Sequence, residues 1–78
     1  MDVRVVGYGS LYRWLSSGER GESVTIKPGA SIRELTESLG IPADEIWMVT
    51  VNGQKASLEK ILQHHDEVRL FSPLGGGS

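Results

Sequence analysis

The sequence predicts a small α+β domain, a β-sheet with one main helix laid on one face. Two observations carry this expectation. Short β-branched segments alternate with Gly, Pro and Asn-rich turns, and a single well-bounded helical repeat, Ser31 to Leu39, falls between the second and third of them. Length sets the scale: 78 residues make one domain, and a chain of that size buries only about 60–65% of its unfolded surface. The core is therefore thin, with little room for a deep substrate cleft.

Val3, Val5 and Val6 form the first β-branched run, and Gly7-Tyr8-Gly9-Ser10 is expected to break it. Ser10 is placed to cap a short helix from Leu11 to about Leu15, with Leu11, Trp14 and Leu15 on one side. Ser23 to Lys27 alternates polar and apolar residues, as a half-buried strand does, and Pro28-Gly29 closes it. Ser31-Ile32-Arg33-Glu34 has the form of a capping box. Ile32, Leu35 and Leu39 follow at helical spacing, and Gly40 and Pro42 end the helix. Ile46 to Val51 reads as a buried strand, Asn52-Gly53 as a tight turn, and Gln54 to Ala56 as a short strand pairing back. Leu58 to Leu62 is expected to form one turn of helix, His64-His65-Asp66 a turn, and Val68 to Phe71 the last strand. The helix stripe needs an apolar sheet face to cover it, which favours the sheet-plus-helix packing. Periodicity leaves the strand order open.

Composition narrows the function. Net charge is −2 with no Lys/Arg cluster, which argues against nucleic-acid binding. Cysteine is absent, so disulfides, thiolate zinc sites and a cysteine nucleophile are excluded. A reducing cytoplasm is the default compartment. No apolar run reaches the roughly 20 residues of a membrane-spanning helix, and the first residues lack a signal-peptide layout. His64 and His65 match no zinc spacing, and as neighbours in an extended chain they are expected to point apart. Gly7-Tyr8-Gly9 lacks the third glycine of a dinucleotide loop, and Ser10 and Ser31 read as helix caps. Trp14, Trp47, Tyr8, Tyr12 and Phe71 are expected to be core or half-buried. No catalytic set and no metal site is expected.

The chain ends Ser72-Pro73-Leu74-Gly75-Gly76-Gly77-Ser78. Glycine loses the most backbone freedom on ordering and has no side chain to bury, so this stretch reads as a tail. Pro73 stiffens its base. The five residues from Pro73 to Gly77 reach about 16 Å when extended. Lacking Cβ atoms, the glycines fit a channel too narrow for other residues and present a carboxylate to another protein. By composition alone, Gly-Gly-Gly-Ser reads equally as linker material.

Val51-Asn52-Gly53, then Asp66-Glu67-Val68 leading through Phe71, Pro73 and Leu74 to Gly76-Gly77, resemble the MoaD/ThiS group of prokaryotic ubiquitin-like sulfur carriers over nearly the whole chain. The resemblance implies a β-grasp, ubiquitin-like fold: a mixed four- to five-stranded sheet packed on one helix over residues 1–72, with a flexible tail over 73–78. It implies a carrier with no catalytic residues and no bound cofactor of its own. An activating enzyme, using ATP and magnesium, adenylates Gly77. A sulfur donor then makes the thiocarboxylate, which supplies sulfur to a biosynthetic enzyme. Gly76 and Gly77 are the activated end, and Gly75, Leu74 and Pro73 are the tail residues that enter the partner's channel. Phe71, nearest the tail, and Trp14 are the expected docking residues. The insert Leu11 to Leu15 resembles the small subunit of molybdopterin synthase more than the thiamine-pathway carrier. The expected acceptor is therefore a molybdopterin or tungstopterin precursor held by the synthase large subunit. The family pattern ends at the second glycine, so Ser78 is either trimmed by a processing protease or introduced by cloning. Two alternatives need nothing different in the sequence: a protein modifier joined to target lysines through the same glycine, and a non-conjugating β-grasp interaction module.

Overall fold

Strand β1 (Asp2–Tyr8) grows from the β-branched run, with Val3 and Val5 buried and Asp2, Arg4 and Tyr8 exposed. The computed structural model describes residues 1–9, 11 and 21–73. The expected helix from Leu11 to Leu15 and its cap Ser10 lie outside them, save Leu11, which is fully buried. Gly7 does not break β1. Gly7 pairs with Leu70 and Tyr8 with Phe71, so the parallel ladder carries the strand through the glycine.

Strand β2 (Glu22–Thr25) is shorter than expected, but the pairing continues past it. The Ile26 N–H donates to the Met1 carbonyl at 2.8 Å, and the Met1 amino group donates to the Ile26 carbonyl at 2.7 Å. Helix α1 (Ile32–Ser38) has its capping box formed: the Glu34 N–H donates to Ser31 Oγ at 3.2 Å, and the Ser31 N–H donates to Glu34 Oε1 at 2.9 Å. Past the C-cap Leu39, the Gly40 N–H bonds the Glu37 carbonyl and the Ile41 N–H the Thr36 carbonyl, the paired bonds of a Schellman stop.

The expected helical turn over Leu58 to Leu62 is absent, and α1 explains why. A helix leaves its first N–H groups without internal partners. Here the Ile32 N–H donates to the Lys60 carbonyl at 3.0 Å and the Arg33 N–H to the Leu58 carbonyl at 2.8 Å. The Leu62 N–H donates to the Ala30 carbonyl at 2.8 Å, and Ser31 bridges Ile61. The segment is held as an open strap because its carbonyls complete the start of α1.

Strand β3 is Met48–Val51, not Ile46 to Val51, and it alternates between half-buried and buried residues. An unanticipated 3-10 segment, Ala43–Glu45, precedes it. Asn52 and Gly53 take φ of +53° and +88°, the double positive of a two-residue hairpin turn, and lead into β4 (Gln54–Ala56). Strand β5 is Glu67–Phe71. The sheet has five strands in the order β2-β1-β5-β3-β4, with β1 and β5 parallel and the other neighbours antiparallel. Val3, Val5, Val49, Val51, Val68 and Leu70 form one core with Ile32 and Leu35 of α1, together with Leu11, Ile41 and Leu62. Among the described residues this is the expected sheet with one α-helix, in the β-grasp arrangement.

The Asn52 turn and the chain entering β5 are tied together. Asn52 Nδ2 donates to Asp66 Oδ1 at 2.9 Å, and the Gln63 N–H donates to Asp66 Oδ2 at 2.8 Å. The Glu67 N–H donates to Asn52 Oδ1 at 3.0 Å, and the Asn52 N–H donates to the Glu67 carbonyl at 2.8 Å. Asp66 is only 9% exposed, so both carboxylate oxygens are spent on these donors. His64 and His65 do not point apart. Their rings stack with centroids 3.7 Å apart, because His65 sits at φ +74° in a turn and not in extended chain. Beside them the Asp2 carboxyl lies below the ordinary aspartate value of 3.8, chiefly because Thr25 Oγ1 donates to it, with the chain amino group and the two histidines adding smaller pulls against desolvation.

Two outcomes follow. Asp66→Ala leaves the Gln63 N–H and the Asn52 amide without acceptors and should cost about 2–3 kcal/mol in urea unfolding. A loss under about 0.5 kcal/mol would show that the tie is not holding the turn. For Asp2 the folded pKa is depressed, so its stabilising effect is full above the unfolded value and is lost as pH falls through the folded one. Thr25→Val should move the Asp2 titration seen by NMR upward.

Candidate functional site

The site is the end of the sheet at which the chain leaves β5. Along β5, Val68 and Leu70 are fully buried in the core, so the half-buried Glu67, Arg69 and Phe71 lie on the opposite face. Phe71 is in register with Tyr8 of β1 on one side and Met48 of β3 on the other. The Tyr8 and Phe71 rings stack, with centroids 4.8 Å apart and planes within 7°. The Phe71 carbonyl accepts from the Trp47 N–H at 2.7 Å, which brings Trp47 to the same end. Ser72 is buried, and the exposed Pro73 follows at a bend.

Trp47 is the residue the sequence reading placed wrongly. It is expected to be core or half-buried within a strand from Ile46 to Val51, yet it is 67% exposed. The chain bends at Trp47 and β3 begins only at Met48, so the strand does not extend that far back. Tyr8 is also more open than expected, at 37%. Phe71 is half-buried, as expected. Tyr8, Met48 and Phe71 thus sit in one row at the end of the sheet where β5 finishes, and the exposed Trp47 is tied to that end through its backbone. No sequence signal grouped them, since they come from β1, the approach to β3, and β5.

Beyond this row the same face turns charged. Arg4 is in register with Glu67, and Arg69 with Thr50, which in turn faces Lys55. Arg69 Nη2 lies 3.3 Å from Glu67 Oε1, a surface pair worth little to stability. An apolar end bordered by mixed charges suits contact with another protein, where aromatic side chains supply area and charges set register.

Of the other site residues expected from the sequence, Pro73 is at the root of the tail. Leu74, Gly75, Gly76, Gly77 and Trp14 lie outside the described residues. Among the described residues no group of three or more His, Cys, Asp or Glu side chains is placed to hold a metal ion, and no helix is long and apolar enough to cross a membrane.

The sequence model for the Mut7-C ubiquitin family matches residues 1–73, which takes in the sheet, the helix and the root of the tail. No curated protein matches the sequence. Among solved structures, SAMP1 from Haloferax volcanii superposes with a TM-score of 0.72 at 22% identity, covering 94% of this chain and 96% of that one. A structure of H. volcanii small archaeal modifier protein 1 gives a TM-score of 0.72 at 22% identity, covering 92% and 97%. A Pyrococcus furiosus protein provisionally described as molybdopterin converting factor, subunit 1, gives 0.70 at 23% identity, covering 94% and 98%. These likenesses establish a shared ubiquitin-like fold along essentially the whole of each chain.

The exposure difference within the cluster is measurable. Trp47→Ala should leave the unfolding free energy within about 0.5 kcal/mol, as for an exposed side chain. Tyr8→Ala should cost about 1 kcal/mol more, because it removes a stacked ring pair. If Trp47→Ala instead costs 2 kcal/mol or more, the indole is packed against the fold and is not available to a partner.

Proposed function

The chain belongs to the Mut7-C ubiquitin family, and on that premise we propose that it is a ubiquitin-like sulfur carrier whose C-terminal glycine is activated by another enzyme. One observation carries the reading. The last ordered strand is held from both sides in the middle of the sheet, with an exposed aromatic end, at the point where a Leu-Gly-Gly-Gly sequence begins. A rigid body with a contact face and a narrow, Cβ-poor lead is what a carrier needs when the reacting carboxylate must enter a foreign active site.

In the proposed cycle the Gly77 carboxylate attacks the α-phosphorus of ATP and pyrophosphate leaves. A sulfur donor at the sulfide level then displaces AMP from the acyl carbon, giving the thiocarboxylate. ATP and magnesium belong to the activating enzyme. The likeness to the P. furiosus converting factor supports delivery of this sulfur to a molybdopterin or tungstopterin precursor on a large synthase subunit. Activation requires Gly77 to be terminal, so Ser78 must first be removed, and a processing protease is the implied partner. Phe71, with Tyr8 stacked on it and the exposed Trp47 at the same end of the sheet, forms the docking face, and Gly75, Leu74 and Pro73 thread the channel. Conjugation to lysines is the second reading, favoured by the likeness to small archaeal modifier protein 1. It uses the same acyl adenylate, with an amine in place of sulfide as the nucleophile.

Protein ending at Gly77, incubated with a host activating enzyme, ATP, magnesium and a sulfide-level donor, should gain the mass change of one oxygen replaced by sulfur. Deletion of Gly76-Gly77 should abolish it. Phe71→Ala should raise KM for the activating enzyme about tenfold or more with the fold retained. Normal function in the host without the two glycines would end the carrier reading. Target proteins shifted in mass under sulfur limitation would move the assignment to the modifier.

A further inference from the structure

Gly9 lies just past the end of β1, and it faces the last residue before the tail bends away. Its φ is +67°, in the left-handed region that favours glycine. A Cβ built there would overlap Ser72 Oγ and stand 3.2 Å from Ser72 Cβ and 3.9 Å from the Ser72 nitrogen. The space that a side chain at position 9 needs is therefore already filled by the Ser72 side chain. Ser72 is 8% exposed although it follows the final strand and precedes an exposed proline, so it is seated and not merely passing. Its neighbours fix the approach: Tyr8, just before Gly9, stacks on Phe71, just before Ser72, and the Phe71 carbonyl is held by the Trp47 N–H.

We infer that Gly9 is a positioning residue for the tail: it forms the seat that receives Ser72 and so sets where, and in what direction, the chain leaves the body of the fold. Docking geometry then transmits to the reacting end. The aromatic face fixes the body on a partner, and the Ser72 seat fixes the start of the lead that must reach the partner's active site. A lead that starts rotated or displaced by about 1 Å forfeits much of the benefit of orientation even when docking is intact. This role rests on the carrier reading for its consequence. The seat itself is a property of the fold and is tested separately.

The geometry specifies a rescue. In Gly9→Ala the new methyl and the Ser72 hydroxyl compete for one position. In Gly9→Ala/Ser72→Ala the methyl takes the place that the hydroxyl vacates, a nearly volume-conserving exchange. The unfavourable φ of an alanine at position 9 remains in both.

The experiment measures backbone 15N relaxation, thermal unfolding and activating-enzyme kinetics on the protein ending at Gly77, with the wild-type sequence and with each variant. In wild type, Ser72 should have an order parameter near 0.85, like the strands, and in Gly9→Ala it should fall below about 0.6. The rate of adenylate formation, as kcat, should drop about tenfold, with KM within about twofold because the docking face is untouched. The double variant should recover the Ser72 order parameter and kcat while its Tm stays lowered by the strained φ, a split that a purely structural role does not produce. Ser72→Leu leaves Gly9 untouched and overfills the same space. It should reproduce the loss of order and of kcat, and it serves if Gly9→Ala does not fold. Full order at Ser72 in Gly9→Ala, or a double variant as impaired as the single, overturns the inference. If the protein ending at Gly77 and otherwise wild type gives no adenylate, the carrier reading is refuted, and the relaxation data still decide whether Gly9 seats Ser72.

Discussion

Strand β5 is the last regular element in sequence and the middle one in space, parallel to β1 on one side and antiparallel to β3 on the other. The core residues Val68 and Leu70 and the outward row ending in Phe71 both hang on this placement. It costs entropy, because residues near opposite ends of the chain must meet before the sheet is complete. It also has a mechanical effect. A terminal strand at a sheet edge frays readily, whereas one paired on both sides stays ordered to its final residue. Pairing on both sides therefore holds the chain in the sheet up to Phe71, with Ser72 buried just beyond it.

The buried carboxylate of Asp66 sets the register of that strand. It accepts from the Asn52 side chain and from the Gln63 backbone, while Asn52 pairs with Glu67 through both its backbone and its amide. The V-N-G and D-E-V segments, separated by twelve residues, are thus two halves of one hydrogen-bonded joint. One half closes the β3–β4 hairpin and the other starts β5. The joint sits at the end of the sheet opposite Tyr8 and Phe71, so the strand is pinned at its entry by polar contacts and at its exit by aromatic ones.

Much of the local structure was legible because it is governed by neighbours in sequence. The Ser31–Glu34 capping box, the Gly40 stop and the Asn52-Gly53 hairpin all follow from side chains reaching a few residues along the chain. The errors fall where long-range partners decide. Gly7 stays in a strand because Leu70 pairs with it, and Leu58 to Leu62 stays open because α1 claims its carbonyls. His64 and His65 face each other because a positive φ turns the chain between β elements.

The candidate site divides in the same way. The order of residue types at this end could be read in advance: Phe71, then Pro73, Leu74 and the glycines, in a chain of 78 residues without cysteine. That much depends only on order along the chain and on what each side chain is able to do. The exposure of Trp47, its backbone bond to Phe71, the stacking of Tyr8 on Phe71, and the fit of Ser72 against Gly9 belong to the tertiary structure alone. These residues come from three separate stretches of sequence. Each is ambiguous by pattern, and only the sheet order β1-β5-β3 brings them to one end, since packing chooses among the local states that a pattern allows.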